Sequence, residues 1–365
     1  MRRILHIIDS LGRNGLAKQL QMLARGEPES GFDVHVAALG GRGALATEFS
    51  AAGIAVTQLD RRWSRDPVAL VRLQRITSRL RPDMVHTWSG DAAWYGRFAV
   101  GASGSPRLIV GVHRIDRWKS GWDWRADRWL ARRVERFVAS SDHVRDWCVC
   151  HGLPADKFSV IAPGVPPARA SDVSRDALLG ELRLPLDAKL IGVVGRLVPE
   201  KRVKDLIWAA DLLRVLHDNL RLLVIGDGPL RSQLEQYARL ASDLEHIQFL
   251  GERPDVWRIM PHLDVLWNGS EDVSHSISIL EAMAAGIPVV ASDTPFNREF
   301  VEGESGYLIP LGSRAGRAAR ARSTDRVFTD AIIASRLGTV ASERINQHFD
   351  SNKMVKNHLR LYADL

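Results

Sequence analysis

Short apolar runs alternate along most of the chain with longer stretches that are rich in good helix formers. The runs are bounded by glycine, proline or polar residues, which is typical of strands buried in a parallel sheet. Repeated strand and helix units of this kind predict an α/β fold. The predicted strands are residues 4–8, 33–39, 54–59, 84–86, 108–112, 137–141, 190–194, 220–225, 247–250, 265–267 and 289–291. The predicted helices are residues 16–25, 44–52, 67–80, 278–285 and 352–362, with another that begins near residue 203.

The chain is long enough for two domains, because 365 residues exceed what one ordinary core accommodates. Pro163, Pro166 and Pro167, followed by the polar run 168–174, interrupt the alternation and mark the boundary. Each half repeats the strand and helix pattern of a doubly wound, Rossmann-like βα domain. The predicted segments are an N-terminal domain over 1–168, a C-terminal domain over 175–349, and a loop with a helix edge over 314–322.

Composition and charge narrow the class of protein. Apolar residues make up 45% and charged residues 25% of the chain, as in folded globular proteins. A net charge of +7 favours anionic partners such as nucleotides, lipid headgroups or nucleic acid. The first apolar run is short and is broken at Asp9, so it predicts a strand and not a signal peptide. No stretch approaches the ~18 apolar residues of a membrane span, and Cys148 and Cys150 are too close for an ordinary disulfide. We expect free thiols in a cytoplasmic protein.

Candidate chemistry concentrates in residues 270–293, SEDVSHSISILEAMAAGIPVVASD. Serines crowd the start of the predicted helix, at Ser274, Ser276 and Ser278. A helix N-terminus with free N–H groups binds anions such as phosphate. Glu281 leans back toward that end and can meet a hydroxyl-bearing part of the same ligand. The alternative is that the serines only cap the helix and that Glu281 is a solvated helix residue.

The run LEAMAAGIPVVASD resembles the signature of the retaining GT-B glycosyltransferases of family 4, which transfer a sugar from a nucleotide donor. The resemblance implies a GT-B architecture, in which two Rossmann-like domains face each other across a cleft and a C-terminal helix, here 350–365, crosses back onto the first domain. It also implies that Ser276, Ile277 and Ser278 cradle the donor phosphates. Glu281 would bind the ribose hydroxyls.

One position departs from the family pattern. The family usually has a glutamate eight positions before Glu281, near the donor sugar, and this chain has Val273 there. Glu271 and Asp272 lie just upstream and are possible substitute carboxylates. In the first loop the family often carries a glutamate where this chain has Ala17.

Further donor ligands are predicted at turns that follow strands. Gly195, Arg196 and Lys201 lie at a strand-to-helix turn and match the family's Gly-Arg…Lys motif. Two cations beside a glycine suit a diphosphate, because arginine binds phosphate oxygens in a fork and lysine binds as a point charge. The glycines predicted to let the backbone approach the ligand are Gly15, Gly226, Gly228 and Gly251. A plain tight turn is the alternative for Gly15, Gly226 and Gly228. Gly251 ends a strand that, by the resemblance, borders the nucleotide base.

Two histidines lie at the carboxyl ends of predicted strands, where open α/β sheets place ligand-binding groups. They are His86 and His113. The resemblance places a functional histidine, facing the donor sugar, at the position of His113, which makes His113 the stronger candidate. An ordinary hydrogen-bonded core histidine is the alternative for both.

Residues 113–137, HRIDRWKSGWDWRADRWLARRVERF, form what we call the Trp–Arg segment. It contains Trp118, Trp122, Trp124 and Trp129 among six arginines that precede Val134. Such a composition is typical of a membrane-surface patch, of a stacking platform for sugars or bases, or of ordinary helix packing. The family binds its acceptor with the N-terminal half, so we expect an acceptor or anionic-membrane role and no nucleic acid.

The motifs stand in the order of the resembled family. The resemblance therefore implies retaining transfer of a hexose from a nucleoside diphosphate sugar, with UDP and GDP both open, to a cell-surface polysaccharide, a lipid-linked acceptor or another glycan. The protein would be cytoplasmic or peripheral on the inner face of the cell membrane. No cofactor or metal is expected, since the Asp-x-Asp pairing of metal-dependent transferases is missing. A nucleotide-binding pseudoenzyme is the alternative. A dinucleotide-dependent oxidoreductase is disfavoured, because no strand precedes a G-x-G-x-x-G turn. The proposed catalytic residues are His113, Glu281, Arg196 and Lys201.

Overall fold

The computed structural model describes residues 1–41, 43–100, 106–241, 246–271 and 274–365. The chain divides into two compact units. The first unit consists of Met1–Gly164 and Ser351–Leu365, and the second consists of Val165–Asp350. Asp272 and Val273 lie outside the described residues.

The first unit contains a sheet of seven strands, all paired in parallel, in the order β3-β2-β1-β4-β5-β6-β7. The strands are β1 (Arg2–Ile8), β2 (Phe32–Ala38), β3 (Ala55–Gln58), β4 (Met84–Thr87), β5 (Arg107–Val112), β6 (Arg136–Ala139) and β7 (Phe158–Val160). The helices of this unit are α1 (Gly15–Gly26), α2 (Ala46–Ala51), α3 (Pro67–Leu80), α4 (Gly90–Val100), α5 (Gly121–Leu130) and α6 (Asp142–Cys150), and the C-terminal helix is α15 (Ser351–Asp364).

The interior strand β1 is buried on both faces from Ile4 onward, which explains why this part of it is mostly apolar. Ile4 and Ile8 pack in a core that also contains residues of α1 and α15, such as Leu20 and Met354. Leu5 and Ile7 pack in a separate core on the opposite face. The C-terminal helix therefore contributes side chains to the core of the first unit.

The second unit contains a sheet of six parallel strands in the order β10-β9-β8-β11-β12-β13. The strands are β8 (Lys189–Val194), β9 (Leu220–Ile225), β10 (Ile247–Gly251), β11 (Val265–Asn268), β12 (Val289–Ser292) and β13 (Tyr307–Ile309). The helices are α7 (Arg175–Glu181), α8 (Val203–Arg214), α9 (Arg231–Ala241), α10 (Val256–Ile259), α11 (Ile277–Ala284), α12 (Pro295–Phe300), α13 (Arg314–Thr329) and α14 (Ala331–His348).

Both strand orders reverse direction once, between β1 and β4 in the first unit and between β8 and β11 in the second. In open parallel sheets this reversal separates the loops at the carboxyl ends of the two strands and leaves a crevice for ligands. The prediction of Rossmann-like βα domains is therefore confirmed. In each unit, the loops at the strand reversal are therefore the expected place for a ligand site.

One local prediction is wrong. Residues 314–322 were expected to form a loop and a helix edge, but they belong to α13. Alanine and arginine are strong helix formers, and the Ser313 hydroxyl caps the helix by accepting from the Gly316 amide. The predicted strands are present with small shifts at their ends, and the short edge strand β13 was not predicted.

Candidate active site

Two loops meet at the strand reversal of the second unit. One loop follows β8 and carries Lys201, and the other follows β11 and carries Ser270 and Ser276. The Lys201 ammonium donates to the Ser276 hydroxyl at 2.7 Å and to the Ser270 hydroxyl at 3.1 Å. The two serine oxygens are 3.1 Å apart. Ser270 is itself held by its amide, which donates to the Asn268 side chain at 3.1 Å.

Lys201 carries a charge in a poorly solvated place. Burial lowers the pKa of its ammonium from 10.5 to about 8. In the part of the chain that the structure describes, no carboxylate oxygen lies within 4.0 Å of the Lys201 nitrogen. A half-buried cation whose hydrogen bonds go only to hydroxyl groups is a favourable place for an anion.

The N-terminus of α11 lies beside this lysine. Ser276 occupies the N-cap position, but its hydroxyl bonds to Lys201 and makes no capping bond to the helix. Ile277 and Ser278 form the first turn, where the amide groups have no partner within the helix. Glu281 follows in the next turn and is half-buried. The predicted capping role is thus not the one that the Ser276 side chain performs.

Three glycine-containing loops pack closely around the same edge of the sheet. Gly195, Gly226 and Gly251 have φ values of +154°, +141° and +71°, which side chains rarely adopt. A Cβ at Gly226 would lie 2.0 Å from the Gly195 carbonyl oxygen, and one at Gly228 would lie 2.5 Å from that of Leu197. The Gly226 and Gly228 positions therefore let two loops touch each other, which is a structural reason for glycine that is independent of any ligand.

The remaining predicted polar residues of this unit differ in their surroundings. Arg196 is exposed, and its guanidinium pairs with no carboxylate among the residues described. The Glu271 carboxylate accepts from Arg202 at 3.0 Å. Arg202 has φ +49° and also donates to Asp205 at 2.7 Å. Glu271 is thus charge-paired in a network that fixes the start of α8, and Asp272 lies outside the described residues.

In the first unit, Gly15 is the first residue of α1, whose N-cap Asn14 accepts from the Ala17 amide at 2.9 Å. His113 follows β5 and is half-buried. Its ring lies nearly parallel to that of Trp88, with ring centroids 5.4 Å apart and an interplanar angle of 7°. Trp88 follows β4, which neighbours β5 in the sheet.

His86 is part of the core. It is fully buried, and its Nδ1 atom is 2.6 Å from the Tyr362 hydroxyl on α15. Burial lowers its pKa well below the ordinary value, so the ring is neutral. This environment favours the alternative of an ordinary hydrogen-bonded histidine, and His113 is the better exposed of the two.

The tryptophans of the Trp–Arg segment fall into two groups. Trp124 is 7% exposed and stacks on His151 at 4.3 Å. Trp118, Trp122 and Trp129 are 60%, 78% and 59% exposed. Packing in the protein interior therefore explains Trp124 but not the three exposed tryptophans. Each exposed ring lies under a guanidinium, namely Arg114 over Trp118 at 4.6 Å, Arg125 over Trp122 at 5.3 Å and Arg133 over Trp129 at 5.6 Å.

Several residues of these surroundings were not singled out by sequence. Arg202 and Trp88 lie outside every motif, and Ser270 is only the first residue of the 270–293 stretch. All three matter through contacts between distant parts of the chain. The position of Trp88, two residues past His86 at a strand end, was the one available signal. Across the described part of the chain, no helix is both long and apolar enough to cross a membrane.

Comparison with known proteins identifies the family. A model described as Glycosyltransferase Family 4 matches residues 13–169, and one described as Glycosyl transferases group 1 matches residues 174–336. A GDP-mannose-dependent alpha-mannosyltransferase from Mycobacterium tuberculosis (strain CDC 1551 / Oshkosh) is 28% identical over 257 residues, which cover 67% of this chain and 65% of that protein.

A second relative is the UDP-Gal:alpha-D-GlcNAc-diphosphoundecaprenol alpha-1,3-galactosyltransferase of Escherichia coli, 27% identical over 271 residues that cover 68% of this chain and 67% of that protein. The chain spans about two thirds of the length of these two relatives. The crystal structure of Anabaena Alr3699/HepE in complex with UDP-glucose matches with a TM-score of 0.88 at 20% identity, covers 100% of both chains and shares the fold. The two family models together account for most of the sequence, and the chain belongs to the GT-B glycosyltransferases of family 4.

Proposed function

We propose that this protein transfers a hexose from a nucleoside diphosphate sugar to a glycan or lipid-linked acceptor, with retention of anomeric configuration. The observation that carries the proposal is the Lys201 ammonium at the strand reversal of the second unit, held by Ser270 and Ser276 and lacking a carboxylate partner among the described residues. Such a site suits the diphosphate of a donor. In a glycosyltransferase of this family, that anion would be the diphosphate of the nucleotide sugar.

The chemistry follows from where charge develops. When the bond between the sugar and the diphosphate breaks, negative charge accumulates on the leaving phosphate oxygens. Lys201, Arg196 and the free amides at the start of α11 would stabilise that charge, since they are already placed before the reaction begins. The exposed Arg196 side chain can swing onto the phosphate without first breaking an ion pair.

The other site residues have supporting parts in this proposal. Glu281 would accept hydrogen bonds from the ribose hydroxyls, as the resemblance to the family implies. Gly195 and Gly251 would let the backbone approach the nucleotide, and Gly15 would do so at the first loop of the N-terminal unit. His113 would contact the donor sugar. Its side chain is half-buried.

The donor nucleotide is proposed as UDP or GDP. The names of the two relatives contain GDP-mannose and UDP-Gal, and the Anabaena structure contains UDP-glucose. An assay must therefore include both nucleotides. We further propose that no metal or cofactor takes part, because the side-chain cations and helix amides supply the positive charge that a divalent ion supplies elsewhere. Chelation by EDTA is then expected to leave turnover unchanged.

The acceptor is proposed to be a glycan or lipid-linked molecule at an anionic membrane surface. Trp122 and Trp129 are seven residues apart on α5 and share one helix face, on which both are exposed. Tryptophan with arginine is the composition that proteins use at the headgroup layer, where an aromatic ring meets the interface and a cation meets lipid phosphate. Trp118, which precedes α5 in the chain, is also exposed.

The experiment that tests the proposal is incubation of the protein with radiolabelled UDP-hexoses and GDP-hexoses, with and without lipid-linked acceptors. Transfer or slow hydrolysis of one donor is the expected result. A protein that binds UDP or GDP but releases no labelled sugar from any donor would be a pseudoenzyme, which would contradict the proposed function.

A further inference from the structure

A buried polar group lies in the core of the first unit, on the side of the sheet that α1 and α15 cover. His6 on β1 and His86 on β4 stand opposite each other in register, and both are fully buried. Glu27 follows α1 and is also fully buried. Trp88, which is 1% exposed, completes the group.

The hydrogen bonds of this group have a fixed direction. The indole N–H of Trp88 donates to Nδ1 of His6 at 3.1 Å. Because an indole nitrogen can only donate, Nδ1 of His6 carries no proton. The remaining ring proton is on Nε2, which donates to the two carboxylate oxygens of Glu27 at 2.9 and 3.0 Å. The hydrogen bonds therefore form a series in which Trp88 donates to His6 and His6 donates to Glu27.

A buried carboxylate in this place is costly. Removing a charge from water costs several kcal/mol, and replacing buried polar pairs by well-packed apolar residues is often neutral or stabilising. What an apolar replacement of His6 lacks is an acceptor for the indole N–H of Trp88, and that hydrogen bond selects one orientation of the ring among those that packing allows. The His6 and Glu27 side chains thus hold one orientation of the indole.

The oriented indole is the surface on which His113 lies. The two rings are nearly parallel, at 5.4 Å and 7°. Gly111 provides the space for this arrangement, because a Cβ there would lie 2.7 Å from Nε2 of His113 and 2.8 Å from the Thr87 carbonyl oxygen. His6 itself makes ring contacts with Trp88, His86 and Tyr362.

We propose that Trp88 is a positioning residue for His113, and that the buried pair of His6 and Glu27 sets the orientation of Trp88. The inference rests on the proposed function, since it takes His113 to be the side chain that meets the donor sugar. A group that must be placed within a fraction of an ångström needs side chains behind it that do not rotate. His6, Glu27, Trp88 and His113 lie far apart along the chain, so no local motif indicates this support.

The first test uses the His113 ring signal in protein with ¹³C-labelled histidine, identified by its absence in His113→Asn. The His6→Leu variant removes the acceptor for Trp88. It is expected to displace the His113 signal, because the indole then rotates and its ring current changes. His6→Gln is expected to keep the signal in place, because an amide can accept from Trp88 and donate to Glu27. Trp124→Phe is the matched control, a buried tryptophan stacked on a different histidine.

The second test is kinetic. We expect His6→Leu to lower kcat by on the order of 10-fold to 100-fold and to leave the KM for the nucleotide sugar within about twofold, as for a displaced reacting group. His6→Gln should recover most of kcat. Should His6→Leu fail to fold, Trp88→Phe removes the N–H donor of the same hydrogen bond, and the same loss of kcat at a nearly unchanged KM is expected.

Three results would overturn the inference. They are a His113 signal that does not move in His6→Leu, a kcat that is unchanged in both His6→Leu and Trp88→Phe, and an equal loss of kcat in His6→Gln and His6→Leu. A wild-type protein without turnover would instead contradict the proposed function. In that case the displaced His113 signal would still support the structural link from His6 through Trp88.

Discussion

The ammonium of Lys201 lies 2.7 Å from the hydroxyl oxygen of Ser276 and thereby joins the loop after β8 to the start of α11. Together with the bond from Lys201 to Ser270, this bond connects the two sides of the strand reversal, where an open parallel sheet binds its ligands. It also occupies the hydroxyl that would otherwise cap the helix. The helix amides and the lysine are consequently both available to an anion.

The affinity for UDP or GDP should depend on pH through Lys201. Its pKa in the free protein is about 8, and a bound diphosphate favours the charged form and raises that pKa. Affinity is therefore full below pH 8 and falls as pH rises through 8, by up to about tenfold per pH unit. Above pH 8, binding takes up a proton. Calorimetry in buffers of different ionisation enthalpy measures both effects.

Alanine at Lys201 or Arg196 should weaken diphosphate binding by on the order of 1.5–3 kcal/mol, as for lost charge-assisted hydrogen bonds. Lys204→Ala is the matched control, an exposed lysine on α8 whose ammonium lies over Tyr237. An affinity that stays constant from pH 7 to about pH 10, where the ordinary lysine pKa is reached, would show that Lys201 does not bind the phosphates.

Gly226→Ala should destabilise the protein by on the order of 3 kcal/mol, because the new Cβ overlaps the Gly195 carbonyl and the backbone is held at φ +141°. Thermal unfolding measures the change. Gly180→Ala is the control, since its Cβ would meet nothing within 4 Å and its place in α7 favours alanine. Equal melting temperatures for Gly226→Ala and the parent would mean that the two loops do not touch.

Glu271 is expected to anchor its loop and not to replace the missing family glutamate. Its carboxylate is already engaged by Arg202 at 3.0 Å. Glu271→Gln should therefore lower kcat by less than about tenfold, whereas removal of a positioned catalytic group costs ~100-fold or more. Asp272→Asn and Val273→Glu, assayed beside it, cover the two positions outside the described residues. A ~100-fold loss in Glu271→Gln would restore the idea of a relocated carboxylate.

Flotation with liposomes should show binding that rises with the fraction of anionic lipid and falls with salt, because surface charges are screened beyond ~10 Å at ordinary ionic strength. Replacing Trp122 by leucine and Trp129 by alanine should weaken this liposome binding severalfold, since the membrane interface favours tryptophan. Trp257→Leu is the control, a tryptophan of the second unit that also lies under an arginine, Arg169, at 3.6 Å. Binding that is absent or independent of salt would leave the exposed tryptophans without a membrane role.

The sequence predicted the fold well because a buried parallel strand leaves an unmistakable apolar run, as in β1 and β12. The sequence-based prediction failed for residues 314–322. Their arginine-rich composition suggested a loop, but these residues form part of α13. Local motifs also led to the loops around Lys201. They could not reveal that Ser270 holds Lys201, or that Glu27 and His6 support Trp88, because these contacts join residues far apart in the chain.

Transfer of label from radiolabelled UDP-hexoses and GDP-hexoses by the wild-type protein, Lys201→Ala and Lys204→Ala tests the central claim most directly. The account predicts that the wild type and Lys204→Ala consume one donor at similar rates and that Lys201→Ala is slower by ~100-fold or more, since it lacks a cation at the developing phosphate charge. Equal rates for all three proteins, or no consumption of any donor by the wild type, would contradict it.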